Sequence, residues 1–375
     1  MSLLDALKAH EEYATHVKAG TRSLSLSEEV QAIQKAIAHA FGAGKSIGFG
    51  SKQIVTGGAS PNLAMVSLFV LAERGPAQTA EWLERVHSIA AAGKANVRLV
   101  VEIVGADSPE PIKFSNGVIV TRLTELHPSP NVCALAENYN ISAKNMTFHF
   151  HRPMVAVYEE ALDAAAGAVA ERPMRSSIDQ VLLGLSASGE IFPNAGYFWH
   201  EFTDPELEAA VFGRAWGADQ AGQPPVGKVT KEAVAYAEKF LALSGDLARR
   251  CQIAAHRLRS ARSRRDHSQR VIDISVALES LLLPPESGSE ISHRLKTRAA
   301  MLLGSTYDER KDLAKVVSSF YSIRSKVVHG AVVGPHQHQL DTIGQTQKLA
   351  ERLLRIEIDM GRTPDFAAID LGGPA

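Results

Sequence analysis

The spacing of apolar and polar positions divides the chain into two stretches of different period. Up to about residue 215 the pattern is mixed. Ser25-Leu26-Ser27-Glu28 has the form of a capping box. Val30, Ile33, Ile37 and Phe41 follow at helical spacing, and Gly42 supplies a stop. A second amphipathic helix is expected from Pro76 to Gly93, and residues 65–71, 97–104 and 147–158 read as strands. The sharpest local signal is Asn116-Gly117 between Ile112-Lys113-Phe114-Ser115 and Val118-Ile119-Val120-Thr121. Asn-Gly supplies the positive φ angles of a tight hairpin turn, so an antiparallel pair is expected there. The first unit, residues 1–215, is therefore read as an α+β domain.

Residues 217–227 are rich in Gly and Pro and poor in apolar side chains, as expected of a linker. Beyond them the period is helical almost throughout. Helices are expected at 229–262, 267–284, 289–303, 308–329 and 338–360, punctuated by Pro284-Pro285, Gly304 and Gly330. Short connections between helices favour an antiparallel bundle, here spanning residues 228–362.

Composition adds little to this division. Of 375 residues, 45% are hydrophobic and 22% charged, the mix of an ordinary globular protein. Neither a leading apolar stretch nor a run of about 18 apolar residues is present, so no signal peptide and no membrane span are expected. Cys133 and Cys251 fall in different predicted units and form neither a disulfide framework nor a zinc site. The expected compartment is the cytoplasm, with no metal and no cofactor.

Charge changes the picture locally. The formal net charge is −1, yet between Arg249 and Arg270 eight arginines stand against one acid, Asp266. A basic stripe on a neutral protein points to an anionic partner, and Arg257, Arg259, Arg262, Arg264 and Arg265 are the residues expected to meet it. The alternative is a helix face balanced by acidic neighbours in the fold.

Three segments of the helical half stand out together. They are Asp273-Ile-Ser-Val-Ala277-Leu278-Glu279-Ser-Leu-Leu, then Ile291-Ser-His293-Arg294-Leu295-Lys-Thr-Arg298-Ala-Ala-Met-Leu-Leu303-Gly304, and Phe320-Tyr321-Ser-Ile323-Arg324-Ser325-Lys326-Val-Val-His329-Gly330. In order, spacing and wording they resemble the Apea-like branch of the HEPN superfamily, over roughly residues 230–360. The resemblance implies a helical bundle that dimerises, with Arg324 and His329 as the catalytic pair of a metal-independent endoribonuclease. It also implies a toxin-like or anti-phage defence role, and makes RNA the anion that Arg257, Arg259, Arg262, Arg264 and Arg265 would bind. Ser325 stands where catalytically established members carry Asn, Asp or His; Apea-like members often carry serine there. Lys326, Glu279, Asp273, Arg294 and Arg298, with His293, are supporting candidates.

The chemistry suits these residue types. Cleavage by attack of the RNA 2′-OH on the adjacent phosphorus needs a base, an acid and positive charge on the phosphorane. Histidine, titrating near about 6.5, serves either proton role. Arginine offers a permanent cation and a fork matched to phosphate oxygens. DNA lacks the 2′-OH, so the reaction selects RNA. Five residues on an α-helix turn through about 500°, which leaves the two side chains about 140° apart. Convergence needs a loosened last turn, a long reach by the arginine, or a second chain. The alternative is that Arg324 pairs with Glu279 or Asp273 while His329 caps the helix.

Weaker signals are set aside. Gly42-Ala-Gly44-Lys45-Ser46 imitates the end of a P-loop, but a helix precedes it where a strand is required. His149 and His151 share a strand face without an obvious third ligand, and His336 and His338 fall in a loop. Trp82, Trp199 and Trp216 are scattered. Two rivals to a ribonuclease stay open: a non-catalytic RNA-binding or dimerisation module attached to a ligand-sensing N-terminal domain, and an N-terminal enzyme or ligand-binding domain with the bundle as its oligomerisation handle.

Overall fold

The computed structural model describes residues 1–23, 27–49, 52–56, 61–145, 153–163, 167–209, 217–218, 225–283, 290–334 and 336–373. In chain order the first unit contains α1 (Leu3–Ala9), α2 (Glu11–Lys18), α3 (Glu28–Phe41), β1 (Ser46–Phe49), β2 (Lys52–Val55), α4 (Pro61–Ala92), β3 (Lys94–Val104), β4 (Ala106–Asp107), β5 (Ile112–Lys113) and β6 (Ile119–Arg122). It continues with α5 (Pro130–Asn145), β7 (Met154–Asp163), α6 (Gly167–Ala187), β8 (Asn194–Phe202), α7 (Pro205–Ala209), β9 (Gly217–Ala218) and β10 (Gly227–Lys228). The remainder is helical: α8 (Lys231–Leu241), α9 (Gly245–Ser263), α10 (His267–Leu282), α11 (Ile291–Leu303), α12 (Tyr307–Val328), α13 (Gln337–Met360) and α14 (Phe366–Asp370). The chain is thus mixed α and β; among the described residues the strands are confined to the first part, and the C-terminal region is helical.

A six-stranded antiparallel sheet in the order β5-β6-β7-β3-β8-β9 organises the first unit. Central β3 is buried on both faces. Val97, Leu99, Val101 and Ile103 join a core shared with α4 and α6, while Val100 packs with Trp199, Val155, Val157 and Leu135 beneath α5. Arg98 and Glu102 share the Val100 face by the two-residue period of a strand. Arg98 pairs there with Glu201, whose carboxylate also accepts from the Trp199 indole at 2.6 Å.

The hairpin forms as expected, with Ile112 opposite Val120 and Gly117 at φ 88°. Other expectations are corrected. Residues 65–71 are helical, because the buried run Leu63, Ala64, Val66, Leu68, Val70 and Leu71 is apolar on every side. Such a short continuous run suits a buried helix as well as a strand. The helix breaks at Gly75 (φ 78°), so the expected start at Pro76 marks a kink. The cap of α3 is Ser27, whose hydroxyl accepts from the Val30 amide at 3.3 Å; Ser25 lies outside the described residues. Of the strand expected at 147–158, residues 154–158 belong to β7, while residues 147–152, with His149 and His151, lie outside the described residues. No element was anticipated at α5.

The linker region is tied down at both ends, by β9 on β8 of the six-stranded sheet and by β10 parallel to β4 in a separate two-stranded sheet. The helix expected over 229–262 is two helices, because the chain turns at Leu243-Ser244-Gly245 with Gly245 at φ 61°. Helices α10 to α13 match the expected spans closely. α14 extends the bundle past residue 362, since Phe366 and Ile369 join its core. α8 serves both cores, giving Ala233 and Ala237 to one and Phe240 to the other. Among the described residues no helix is long and apolar enough to cross a membrane.

The seam between the units depends on a close approach of α6 and α8. A Cβ at Gly184 would lie 2.9 Å from the Cα of Ala237. Gly184→Ala is therefore expected to spread the two helices and to cost about 1–3 kcal/mol, the usual penalty of overpacking. A urea midpoint unchanged from wild type would contradict that packing.

Candidate functional site

The third of the three motif segments closes α12, and its end is built by a recognisable cap. His329 is the C-cap, with its backbone N–H on the Ser325 carbonyl at 3.2 Å. The N–H of Gly330 reaches Val327 and that of Ala331 reaches Lys326, each at 3.0 Å, with Gly330 at φ 92°. This is a Schellman closure, and it needs a residue without a Cβ at position 330. It leaves the His329, Ser325 and Lys326 side chains exposed, beside Val328 (52% exposed) and Val332 (85%).

Arg324 sits one turn earlier and turns inward, half-buried. Its Nη2 lies 3.4 Å from Oε1 of Glu279 on α10, an oxygen that also accepts from the Tyr321 hydroxyl at 3.2 Å. Burial, and then the Glu279 carboxylate, push the Tyr321 phenol well above its ordinary range, so it stays a donor. The Arg324 contact is long for a charge-assisted bond, and its buried Nε has no partner among the described residues. Both contacts of the non-catalytic alternative are therefore present, although the ion pair is loose and the imidazole open to solvent. Tyr321 was quoted only as part of the motif; its place three residues before Arg324, on one helix face, was the available signal.

The supporting candidates are distributed elsewhere. Asp273 is buried at 2% exposure and takes Arg257 at 3.0 Å and Arg264 at 3.1 Å, not Arg324. Arg298 is buried and forks onto Asp370 at 2.8 and 2.6 Å, with a third bond to the Leu282 carbonyl. It does not share solvent with Arg294, which is half-buried near Asp370, while His293 is exposed.

The basic stripe is largely spoken for by acids and amides. Arg249 pairs with Asp246, Arg250 with Glu357 and Arg270 with Gln347. Arg262 holds Glu351 through two bonds at 2.9 and 2.7 Å and lies over the Phe192 ring. Arg259 stands 3.8 Å from Asp179. Neutralisation by neighbours thus applies to most of the stripe; Arg257 and Arg264 share the single buried Asp273 while staying about half exposed, and Arg265 is exposed. At the P-loop-like segment, the Lys45 amide donates to Thr56 and β1 begins at Ser46, so the order is helix, loop, strand.

Comparison of the chain with protein-family models, with curated proteins and with solved structures returned no match.

Proposed function

We propose that the C-terminal helices form a HEPN-type module that binds and cleaves RNA without a metal, with His329 as acid or base and Arg324 holding the phosphate. The observation that supports this most is the closure of α12, which exposes the His329 imidazole one turn beyond a half-buried, loosely paired arginine. Arg324 leaves Glu279 for phosphate at little cost, because a single 3.4 Å contact with a partly exposed carboxylate is weak. On a straight helix the two side chains diverge, so a homodimer supplies the second pair. The exposed Val328 and Val332 beside them suit a protein surface. In this reading the first unit, outside the bundle, detects a trigger or selects a target for a toxin-like or defence effector. Arg257, Arg264 and Arg265 add positive surface for the RNA backbone.

Incubation of the purified protein with labelled RNA in EDTA tests the proposal. His329→Ala and Arg324→Ala are each expected to lower cleavage by about 10²-fold or more, the usual contribution of a positioned acid or base. Sedimentation is expected to show a dimer. RNA cut equally well by wild type and both variants would refute it. The Arg324–Glu279 pair favours one second reading, a non-catalytic RNA-binding and dimerisation module. That reading predicts intact RNA, and binding that survives His329→Ala.

A further inference from the structure

Arg324 has one acceptor among the described residues, and that acceptor is a carboxylate. Tyr321 and Arg324 lie on one face of α12, and Glu279 meets both from α10. The Tyr321 hydroxyl donates to Oε1 of Glu279 at 3.2 Å, while Nη2 of Arg324 reaches the same oxygen at 3.4 Å. Glu279 and Arg324 keep 29% and 36% of their side-chain surface open, so a ligand seated on the guanidinium lies beside the carboxylate. Tyr321 is buried, and its hydrogen bond keeps that carboxylate in place when Arg324 turns to a ligand. The charge a ligand meets here is therefore set by a cation and a fixed anion together.

We propose that Glu279 determines the specificity of the Arg324 seat, admitting the singly charged phosphodiester inside an RNA chain and disfavouring the doubly charged phosphate of a nucleotide end. This role rests on Arg324 holding the phosphate. A diester carries one negative charge at neutral pH. A phosphomonoester carries about 1.5–2, because its second pKa is about 6. An unaccompanied guanidinium favours the more highly charged group. The carboxylate cancels that advantage, since it repels the second charge about as strongly as the guanidinium attracts it. The greater cost of drying the dianion then decides for the diester. Glutamine at position 279 keeps an acceptor for Tyr321 and removes only the repulsion. Tyr321 is a positioning residue in this arrangement, acting through Glu279.

Displacement of a fluorescent 2′-O-methyl RNA oligonucleotide from the full chain tests it, since that probe lacks the attacking hydroxyl and stays intact. The competitors are 2′-O-methyladenosine 3′-monophosphate and its methyl diester, which differ by one methyl group and one charge. From wild type the diester is expected to displace the probe at a concentration at least about threefold lower. In Glu279→Gln the monophosphate is expected to gain several-fold, so that the preference vanishes or inverts, a gain that misfolding cannot imitate. Arg324→Ala is expected to weaken both competitors. No displacement by either ligand, equal potency in wild type, a preference that survives Glu279→Gln, or undiminished displacement in Arg324→Ala overturns the proposal. Cleavage of ordinary RNA, measured in parallel, separates this role from the nuclease reading. Discrimination with ordinary RNA left intact sinks the nuclease alone, whereas cleavage without discrimination sinks only the role of Glu279.

Discussion

Arg250→Met is expected to lower folding stability by about 3–5 kcal/mol, the cost of leaving several buried acceptors without their donor. Arg250 and Glu357 are buried together, with side-chain exposures of 4% and 0%. The guanidinium Nη2 is 3.2 Å from both Glu357 oxygens and also donates to the Leu281 carbonyl. Its Nε donates to the Ser280 carbonyl at 2.9 Å and its Nη1 to Thr363 at 3.2 Å. Methionine fills much of the space but leaves two carbonyls and a carboxyl with nothing to meet. Urea unfolding measures the loss, and a midpoint shifted by less than a few tenths molar would contradict it.

The same pair carries a pH dependence. Burial pushes the Glu357 carboxyl up to about 8 from an ordinary 4.5, against the pull of Arg250. Between those values the folded state keeps a proton that the unfolded chain has released. Its contribution to stability therefore falls as pH rises through that window and levels off above it. Glu357→Gln keeps an acceptor for Arg250 without the ionisation. It is expected to flatten this part of the profile and to gain on wild type at alkaline pH. A profile identical to wild type would show that Glu357 is ionised throughout.

Arg298→Met is expected to cost about 2 kcal/mol and to release α14 from the bundle. The bidentate pair with Asp370, the bond to Leu282 at 2.6 Å and stacking over Phe366 at 4.6 Å make Arg298 the clasp of the C-terminal segment. Asp370 is one-third exposed and can rehydrate, so the effect is smaller than at Arg250. Arg298, acting first through its hydrogen bonds, holds the Asp370 carboxyl below the ordinary range. The stability this confers is present above about pH 4 and lost as pH falls through the lowered value. Limited proteolysis after residue 361 is expected to accelerate in the variant; unchanged protection would exclude the clasp.

These arginines show why the site was only partly legible. Arg298 sits in a motif that resembles a ribonuclease family, yet its partner lies 72 residues away in a helix that sequence spacing did not suggest. Arg262 finds Glu351 at a separation of 89 residues and Arg250 finds Glu357 at 107. Charge neutralisation across such distances leaves no local pattern, so the density of arginines overstated the free cationic surface. The missed half of α4 has a different cause. A helix buried on all sides loses its polar face, and with it the period that separates helix from strand.

Local chemistry by itself determined the helical C-terminal region, the turn at Asn116-Gly117 and the stop at Gly330, because each depends on neighbours within a few residues. It also determined the five-residue spacing that keeps Arg324 and His329 off a common helix face. Tertiary packing decided the rest. It set Glu279 and Tyr321 against Arg324, committed Asp273 to Arg257 and Arg264, and brought α6 and α9 together around Asp179. The physical reason is range: backbone caps and periodicity act within a turn or two, whereas which charges meet is decided only when distant helices pack.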